Sequence, residues 1–331
     1  MAKILVTGGA GMIGSNLVKR LVKENHQVLI IDNLWRGKLE YLNDENGKSC
    51  IDLNKNFFNI DLSNPVTDLG PFEGTDYIYH LADVVAGISY VFNNQGSIFR
   101  QNVLINSNTI EMARQLKVKG FIYAGTACSF PLELQNSFDY KLLKEEELFP
   151  ANPESAYGWS KLMGLYEADF LERESGIPVL TLIFHNVYGA PCDFGTTRSQ
   201  VIPSLIRKAI NYPSEDFIVW GSGRQGRAFL HIDDIINGLI LGLEKGLGKG
   251  YIQIGPDYST TIAELASLIV GISGKDIRVV FDTTKPEGDK ARAANYSKAT
   301  EVLGWEPRVS LKEGLSATYK WIEQRIAEQK D

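Results

Sequence analysis

Short, wholly apolar runs alternate with amphipathic stretches through the first half of the chain. Lys3–Thr7 and Val28–Ile31 are two such runs, and between them Ile13–Glu24 carries its apolar residues at helical spacing. Further runs lie at Tyr77–Leu81, Phe121–Ala124 and Val179–Phe184, interleaved with helix-length segments at Asn102–Leu116 and Ala156–Glu174. Strands without polar alternation are those covered on both faces. Their regular exchange with helices predicts a parallel, doubly wound α/β sheet of the Rossmann type. From residue 185 on, Gly189, Pro191, Gly195, Pro203, Pro213 and the Gly221, Gly223, Gly226 group break the rhythm. Helices are still predicted at Pro203–Asn211, Ile232–Lys245, Ile262–Val270 and Leu311–Glu328. We therefore expect residues 1–184 to form the doubly wound domain and 185–331 mainly a smaller C-terminal lobe, with segments near 228–252 returning to the sheet.

The first turn of that pattern carries chemistry. Thr7-Gly8-Gly9-Ala10-Gly11-Met12-Ile13-Gly14 follows a strand and opens a helix, the setting of a dinucleotide-binding loop. Gly8 suits the tight turn, Gly11 lets backbone approach a pyrophosphate, and Gly14 permits close helix–strand packing. Met12 and Ile13 then offer helix N-terminal N–H groups to the phosphates. Asp32, with Asn33 beside it, ends the second strand, where a carboxylate accepts from the adenosine ribose and repels a 2′-phosphate. NAD rather than NADP is therefore the expected cofactor, although Arg36 and Lys38 lie close by. Asp61 and Leu62, after a third strand, are candidate adenine contacts; Asp61 serves equally well as a capping residue.

Tyr157 and Lys161 stand at i and i+4 of a predicted helix and so share a face. A tyrosine that takes a proton from a substrate hydroxyl must first lose its own, and a free phenol titrates near ~10. An ammonium at ~4 Å contributes about 4 kcal/mol at an effective dielectric of about 20, which would bring the phenol toward neutrality.

Composition narrows the partners. A net charge of −6, with basic residues scattered, predicts no nucleic-acid partner. Cys50, Cys128 and Cys192 are too few and too dispersed for a disulfide framework or a zinc site, so reduced thiols, a cytoplasmic location and no metal are expected. With no apolar run approaching 18 residues, no membrane association is expected. His80 reads as a structural hydrogen-bonder, and His231, two residues from Asp233 and with no nucleophile motif around it, is not read as catalytic.

With Asp32, His80-Leu81-Ala82, Asn102, Thr126, Asn186-Val-Tyr-Gly189 and Arg227-Ala-Phe-Leu-His-Ile-Asp233 added to the glycine loop and the Tyr157/Lys161 pair, the chain resembles the extended short-chain dehydrogenase/reductase family along nearly its whole length. The resemblance implies NAD(P) on the Rossmann part, contacted also by Leu81, Ala82 and Asn102, and a nucleoside-diphosphate sugar in the C-terminal lobe. It implies a hydroxyl at Thr126 beside the tyrosine, Ala86 and Gly87 against the hexose, Asn186 on the diphosphate or sugar, and Arg227 with Arg292 clamping the diphosphate. A homodimer through Asn102–Leu116 and Ala156–Glu174 follows from it as well.

Cys128 bears on the reaction. Where related 4,6-dehydratases carry Asp-Glu after the threonine, this chain has Ala127-Cys128, and Cys128-Ser-Phe-Pro131 is similar to the GDP-mannose 3,5-epimerases and GDP-fucose synthases. Phe184-His185-Asn186, Phe194-Gly195-Thr196, Trp220-Gly-Ser-Gly223 and Leu303-Gly-Trp-Glu-Pro307 extend the resemblance to the former. It implies that a transient 4-keto sugar acidifies its neighbouring C–H bonds and that Cys128 moves a proton there as an acid/base. A small buried hydrophobe at a strand end is the other reading of Cys128. A second titratable residue would be needed for double inversion, and Gln200 stands in the matching stretch. A UDP-sugar 4-epimerase, a 4-keto reductase and an NAD-binding sensor without turnover remain alternatives.

Overall fold

The computed structural model describes residues 1–328. Seven strands form its central sheet: β1 (Lys3–Thr7), β2 (Gln27–Ile31), β3 (Phe57–Phe58), β4 (Tyr77–His80), β5 (Gly120–Thr126), β6 (Val179–Phe184) and β7 (Gly250–Ile254). All pairings are parallel and the spatial order is β7-β6-β5-β4-β1-β2-β3. The chain steps outward from β1 to β3, then returns to β1's other side and proceeds toward β7. The reversal falls between β1 and β4, where parallel sheets of this kind bind ligands beyond the strands' C-terminal ends. Register brings those ends level. Thr7 lies opposite both Ile31 and His80, and Thr126 lies opposite Phe184.

Residue alternation within each apolar strand builds two cores. Leu5, Ile78, Phe121, Tyr123 and Ile183 face one layer with α2 (Gln95–Leu116) and α3 (Ala156–Ser175), contributing Ile105, Ala113, Leu162 and Leu165. Ile4, Val6, Tyr79, Ile122 and Leu182 face the other, with α1 (Met12–Lys23) and α5 (Ile232–Leu241) supplying Leu17, Val18, Leu21, Ile235 and Leu239. Each fully buried Leu or Ile stabilises the fold by about 1.5–3 kcal/mol. The second half of the chain adds a third core between α4 (Val201–Asn211), α6 (Ile262–Ser273) and α7 (Leu311–Glu328), built on Leu205, Ile206, Leu265, Ile269, Leu315 and Ile322. Paired segments Asn186–Tyr188 and Phe229–His231 connect this lobe to the sheet.

Two helices differ from the sequence pattern. α2 begins at Gln95, seven residues before Asn102, because a mostly polar first part (Gln95, Gly96, Ser97, Arg100, Gln101) is anchored by the buried Ile98 alone. Regular α-helix in α5 stops at Leu241, and Gly242–Gly246 continues as a wider i→i+5 turn. Both glycines pack closely on the sheet, since a Cβ at Gly242 or Gly246 would stand 2.8 or 2.6 Å from Leu180.

Candidate active site

Loops at the C-terminal ends of β1, β4, β5 and β6 enclose a cleft of about 730 Å³. The turn after β1 packs tightly on the one after β4. Gly8 has a φ of 69°, and a Cβ there would stand 2.8 Å from the Ala82 nitrogen. A Cβ on Gly14 would stand 2.1 Å from the Gly8 carbonyl oxygen, so α1 starts hard against the turn it follows. On the cleft side Gly11 is more open, with only the Gly8 oxygen near, at 3.2 Å. Met12 and Ile13 line the cleft beside it.

Asp32 accepts from the Ala10 N–H at 2.9 Å and, on its other oxygen, from the Leu34 N–H at 2.8 Å. Burial raises its pKa against these two bonds, and each oxygen retains a lone pair for a further donor. Asn33, Asp61, Leu62, Leu81 and Ala82 also line the cleft. Asp61 accepts from the Ser63 N–H at 2.9 Å, so one of its oxygens does serve a turn.

Asn102, expected at the cofactor, has a different place. It is wholly buried and absent from the cleft wall. Its oxygen accepts from Val84 N–H at 2.7 Å, and its amide donates to the Val84 carbonyl at 3.2 Å and Ser160 Oγ at 3.3 Å. The side chain thus pins the loop after β4 to α3.

Thr126, Cys128 and Tyr157 share the cleft wall with Ala86, Gly87, Asn186, Arg227 and Arg292. Ser155 caps α3 by accepting from Gly158 N–H at 3.2 Å, which fixes the first turn bearing Tyr157. Tyr157 Oη donates to Asp83 Oδ2 at 3.1 Å, and Lys161 Nζ lies 3.4 Å from the same oxygen. The two side chains therefore converge, as their i, i+4 spacing predicts, but on a carboxylate. Lys161 is 1% exposed and its ammonium sits 4.5 Å over the Tyr123 ring.

This corrects the expected electrostatics. Burial, then the Asp83 charge, push the Tyr157 phenol well above its ordinary range, and burial lowers Lys161 while Asp83 opposes that change.

Thr126 Oγ1 accepts from the Cys128 N–H at 3.2 Å. Arg292 Nη2 donates to Cys128 Sγ at 3.3 Å, while Nη1 donates to Gln135 and Asp289. Arg227 is bound to the carbonyls of Gly226, Asp289 and Glu287. Both arginines reach the cleft, but Arg292 spends its fork on the cysteine and its neighbours. Glu154, missed in the sequence, lines the same wall, and burial with the nearby Asp289 pushes its pKa up to about 7.

Residues 4–255 match the model of the NAD dependent epimerase/dehydratase family. The chain belongs to that family. Its cofactor is NAD. A GDP-mannose 3,5-epimerase of Arabidopsis thaliana is 32% identical to this family member over 99% of the chain and 84% of the relative. GDP-L-fucose synthase of Escherichia coli K12 is 29% identical over 97% of the chain and 96% of the relative. A UDP-glucose 4-epimerase from Thermotoga maritima, solved with UDP-glucose, superposes with a TM-score of 0.85 at 28% identity, covering 98% of this chain and 99% of that one.

The residues of this family member fit the cofactor. Asn186 Oδ1 is a buried polar atom without a hydrogen-bond partner on the cleft wall, which also carries the glycine cradle that a Cβ would fill. His80 accepts from Thr7 Oγ1 at 2.7 Å through Nδ1 and donates to Asn106 through Nε2 at 3.0 Å. Burial and Lys161 push its pKa down to about 3, so it stays neutral and tethers β1 and β4 to α2. His231 accepts from the Asp233 N–H at 3.4 Å, capping α5. Among the described residues no cluster suits a metal ion, and no helix is long and apolar enough to cross a membrane.

Proposed function

We propose that the chain epimerises a nucleoside-diphosphate sugar through a transient 4-keto form, with Cys128 exchanging a proton on a carbon next to the ketone, as in a GDP-mannose 3,5-epimerase. The observation that carries this reading is Cys128 on the same cleft wall as Tyr157, its sulfur held by the Arg292 guanidinium at 3.3 Å. A cationic donor of that kind is accepted more strongly by a thiolate than by a thiol.

When bound, NAD would supply the acceptor for the C4 hydride and the source of its return. Tyr157 receives the C4 hydroxyl proton, with Thr126 beside it to orient the hydroxyl. Gly8, Gly11, Met12, Ile13, Gly14, Asp32, Asn33, Asp61, Leu62, Leu81, Ala82 and Lys161 hold the cofactor. Ala86, Gly87, Asn186, Arg227 and Arg292 hold the sugar nucleotide. Residues 1–184 carry the former site and 185–331 mainly the latter. The three unpaired cysteines suit a cytoplasmic location.

Gln200 faces the cleft and cannot titrate, whereas Glu154 titrates in the range useful for proton transfer. We assign Glu154 the second proton. The exposed Trp159, Met163, Tyr166 and Phe170 on α3, with Phe99 and Leu104 on α2, form an apolar face suited to pairing two copies as a homodimer.

The test is product analysis by NMR in deuterated water, with GDP-mannose and UDP-glucose as probes. Deuterium at C3 or C5, lost in Cys128→Ala while cofactor reduction persists, supports the reading. Inversion at C4 without solvent label identifies a 4-epimerase and overturns the role of the cysteine.

A further inference from the structure

We infer that His185 is a specificity-determining residue that accepts from a free hydroxyl of the bound sugar, so that the cleft takes hexoses carrying a hydroxyl, not a hydrogen or a carboxylate, at that position. The inference rests on the sugar-nucleotide reading above and adds which substituent the cleft selects. Its basis is three atoms of one wall: His185 Nδ1, Asn186 Oδ1 and Arg292 Nε are each buried without a hydrogen-bond partner.

The imidazole is held in one tautomer. Gln253 on β7 donates its amide Nε2 to the Leu143 carbonyl at 2.7 Å, which turns its oxygen toward the ring. His185 Nε2 lies 3.1 Å from that oxygen and so carries the proton, leaving a lone pair on Nδ1. The Gln253 N–H donates to Glu145 Oε1 at 2.8 Å, and the His185 N–H to the Ile254 carbonyl at 3.2 Å. A Cβ on Gly255 would stand 2.7 Å from ring atoms Cγ and Cδ2, so the imidazole has no room to swing on that side. Burial, then the Arg292 charge, push its pKa down to about 3, and the ring is neutral at any ordinary pH.

The demands of these atoms on a ligand are specific. His185 Nδ1 and Asn186 Oδ1 can only accept, and Arg292 Nε can only donate. Arg292 Nη1 and Nη2 are engaged by Gln135, Asp289 and Cys128, so Nε is the nitrogen left over. A hydroxyl donates to one neighbour while accepting from another. A hydrogen in its place leaves donor and acceptors desolvated and unpaired. A carboxylate sets acceptor against acceptor at Nδ1, and an ammonium is repelled by the guanidinium.

Two measurements test this. The first is 15N NMR of histidine-labelled protein. His185 should be the Nε2–H tautomer and should not titrate between about pH 5 and 8. GDP-mannose or UDP-glucose should move its Nδ1 signal upfield, as for a nitrogen accepting a hydrogen bond, and GDP or UDP alone should not. An Nδ1–H tautomer overturns the inference. So does an Nδ1 signal already hydrogen-bonded before the sugar nucleotide is added, one that neither sugar nucleotide moves, or one that the nucleotide alone moves equally.

The second compares kcat/KM for the accepted sugar nucleotide with that for its 2-, 3- and 6-deoxy analogues. The wild type should discriminate against one of them at least about 100-fold, and His185→Phe should narrow that ratio to about 10-fold or less. A ratio that the variant leaves unchanged overturns the inference. The nitrogen shift needs neither a variant nor exchange at Cys128, so an enzyme that inverts C4 alone would show it as well.

Discussion

Arg292 donates to the sulfur of Cys128 across 164 residues of chain, and the same guanidinium is tied to Asp289 and Gln135. The cysteine just after β5 is therefore set by the C-terminal lobe, and the exchange chemistry proposed for Cys128 would depend on that lobe being correctly seated.

Arg292→Lys keeps the charge but loses the planar fork that serves three partners at once. Solvent-deuterium incorporation should drop about 10- to 100-fold while cofactor reduction at C4 continues. Equal loss of both rates would show that Arg292 acts on substrate binding instead.

Glu154 should make stability fall with rising pH. Its carboxyl is raised from 4.5 to about 7 in the folded protein, so the folded state binds more protons than the unfolded one between those values. That stability is present below the lower value and lost on passing the upper. The melting temperature of Glu154→Gln should change less than the wild type's across this window, and the variant's solvent exchange should lose its dependence on a group near neutrality. Parallel melting curves for the two proteins would contradict this.

Gly14→Ala should cost both stability and cofactor. The new methyl would press on the Gly8 carbonyl, a backbone atom that cannot rotate away. A loss of about 1–3 kcal/mol is expected, together with loss of the thermal shift produced by NAD. An unchanged shift would mean that the turn tolerates the displacement.

The paired glutamates of a Met163→Glu/Tyr166→Glu protein stand one turn apart on the exposed face of α3. Light scattering after gel filtration should give half the wild-type mass. Equal masses would place any subunit contact elsewhere.

Much of the scaffold could be read from local pattern. The buried runs of β1, β2, β5 and β6 depend on contacts with both sheet faces, and a wholly apolar segment reports that directly. The glycine turn and the Tyr157/Lys161 spacing are equally local. The place of Asp83 was not legible because its contacts with Tyr157 and Lys161 form where the loop after β4 meets α3, 74 residues later. Nothing in Leu81-Ala82-Asp83 distinguishes a neighbour of Tyr157 from any loop acid. Asn102 misled for the same reason: its partners, Val84 and Ser160, lie on elements that only the folded chain brings beside α2. Glu154 needed the proximity of Asp289 before its titration became informative.

The inner and outer faces of one helix pair carry separate duties. Asn102 and Asn106 project inward from α2 to fix the Val84 loop, His80 and the Ser160 carbonyl, while Phe99 and Leu104 look outward from the same cylinder. Turning α2 by a single residue, about 100°, would carry both asparagines away from their partners. Insertions or deletions of one residue within that helix are thus barred more strictly than any outer-face substitution, and sequence drift here should proceed by exchange of side chains, with helix length held constant.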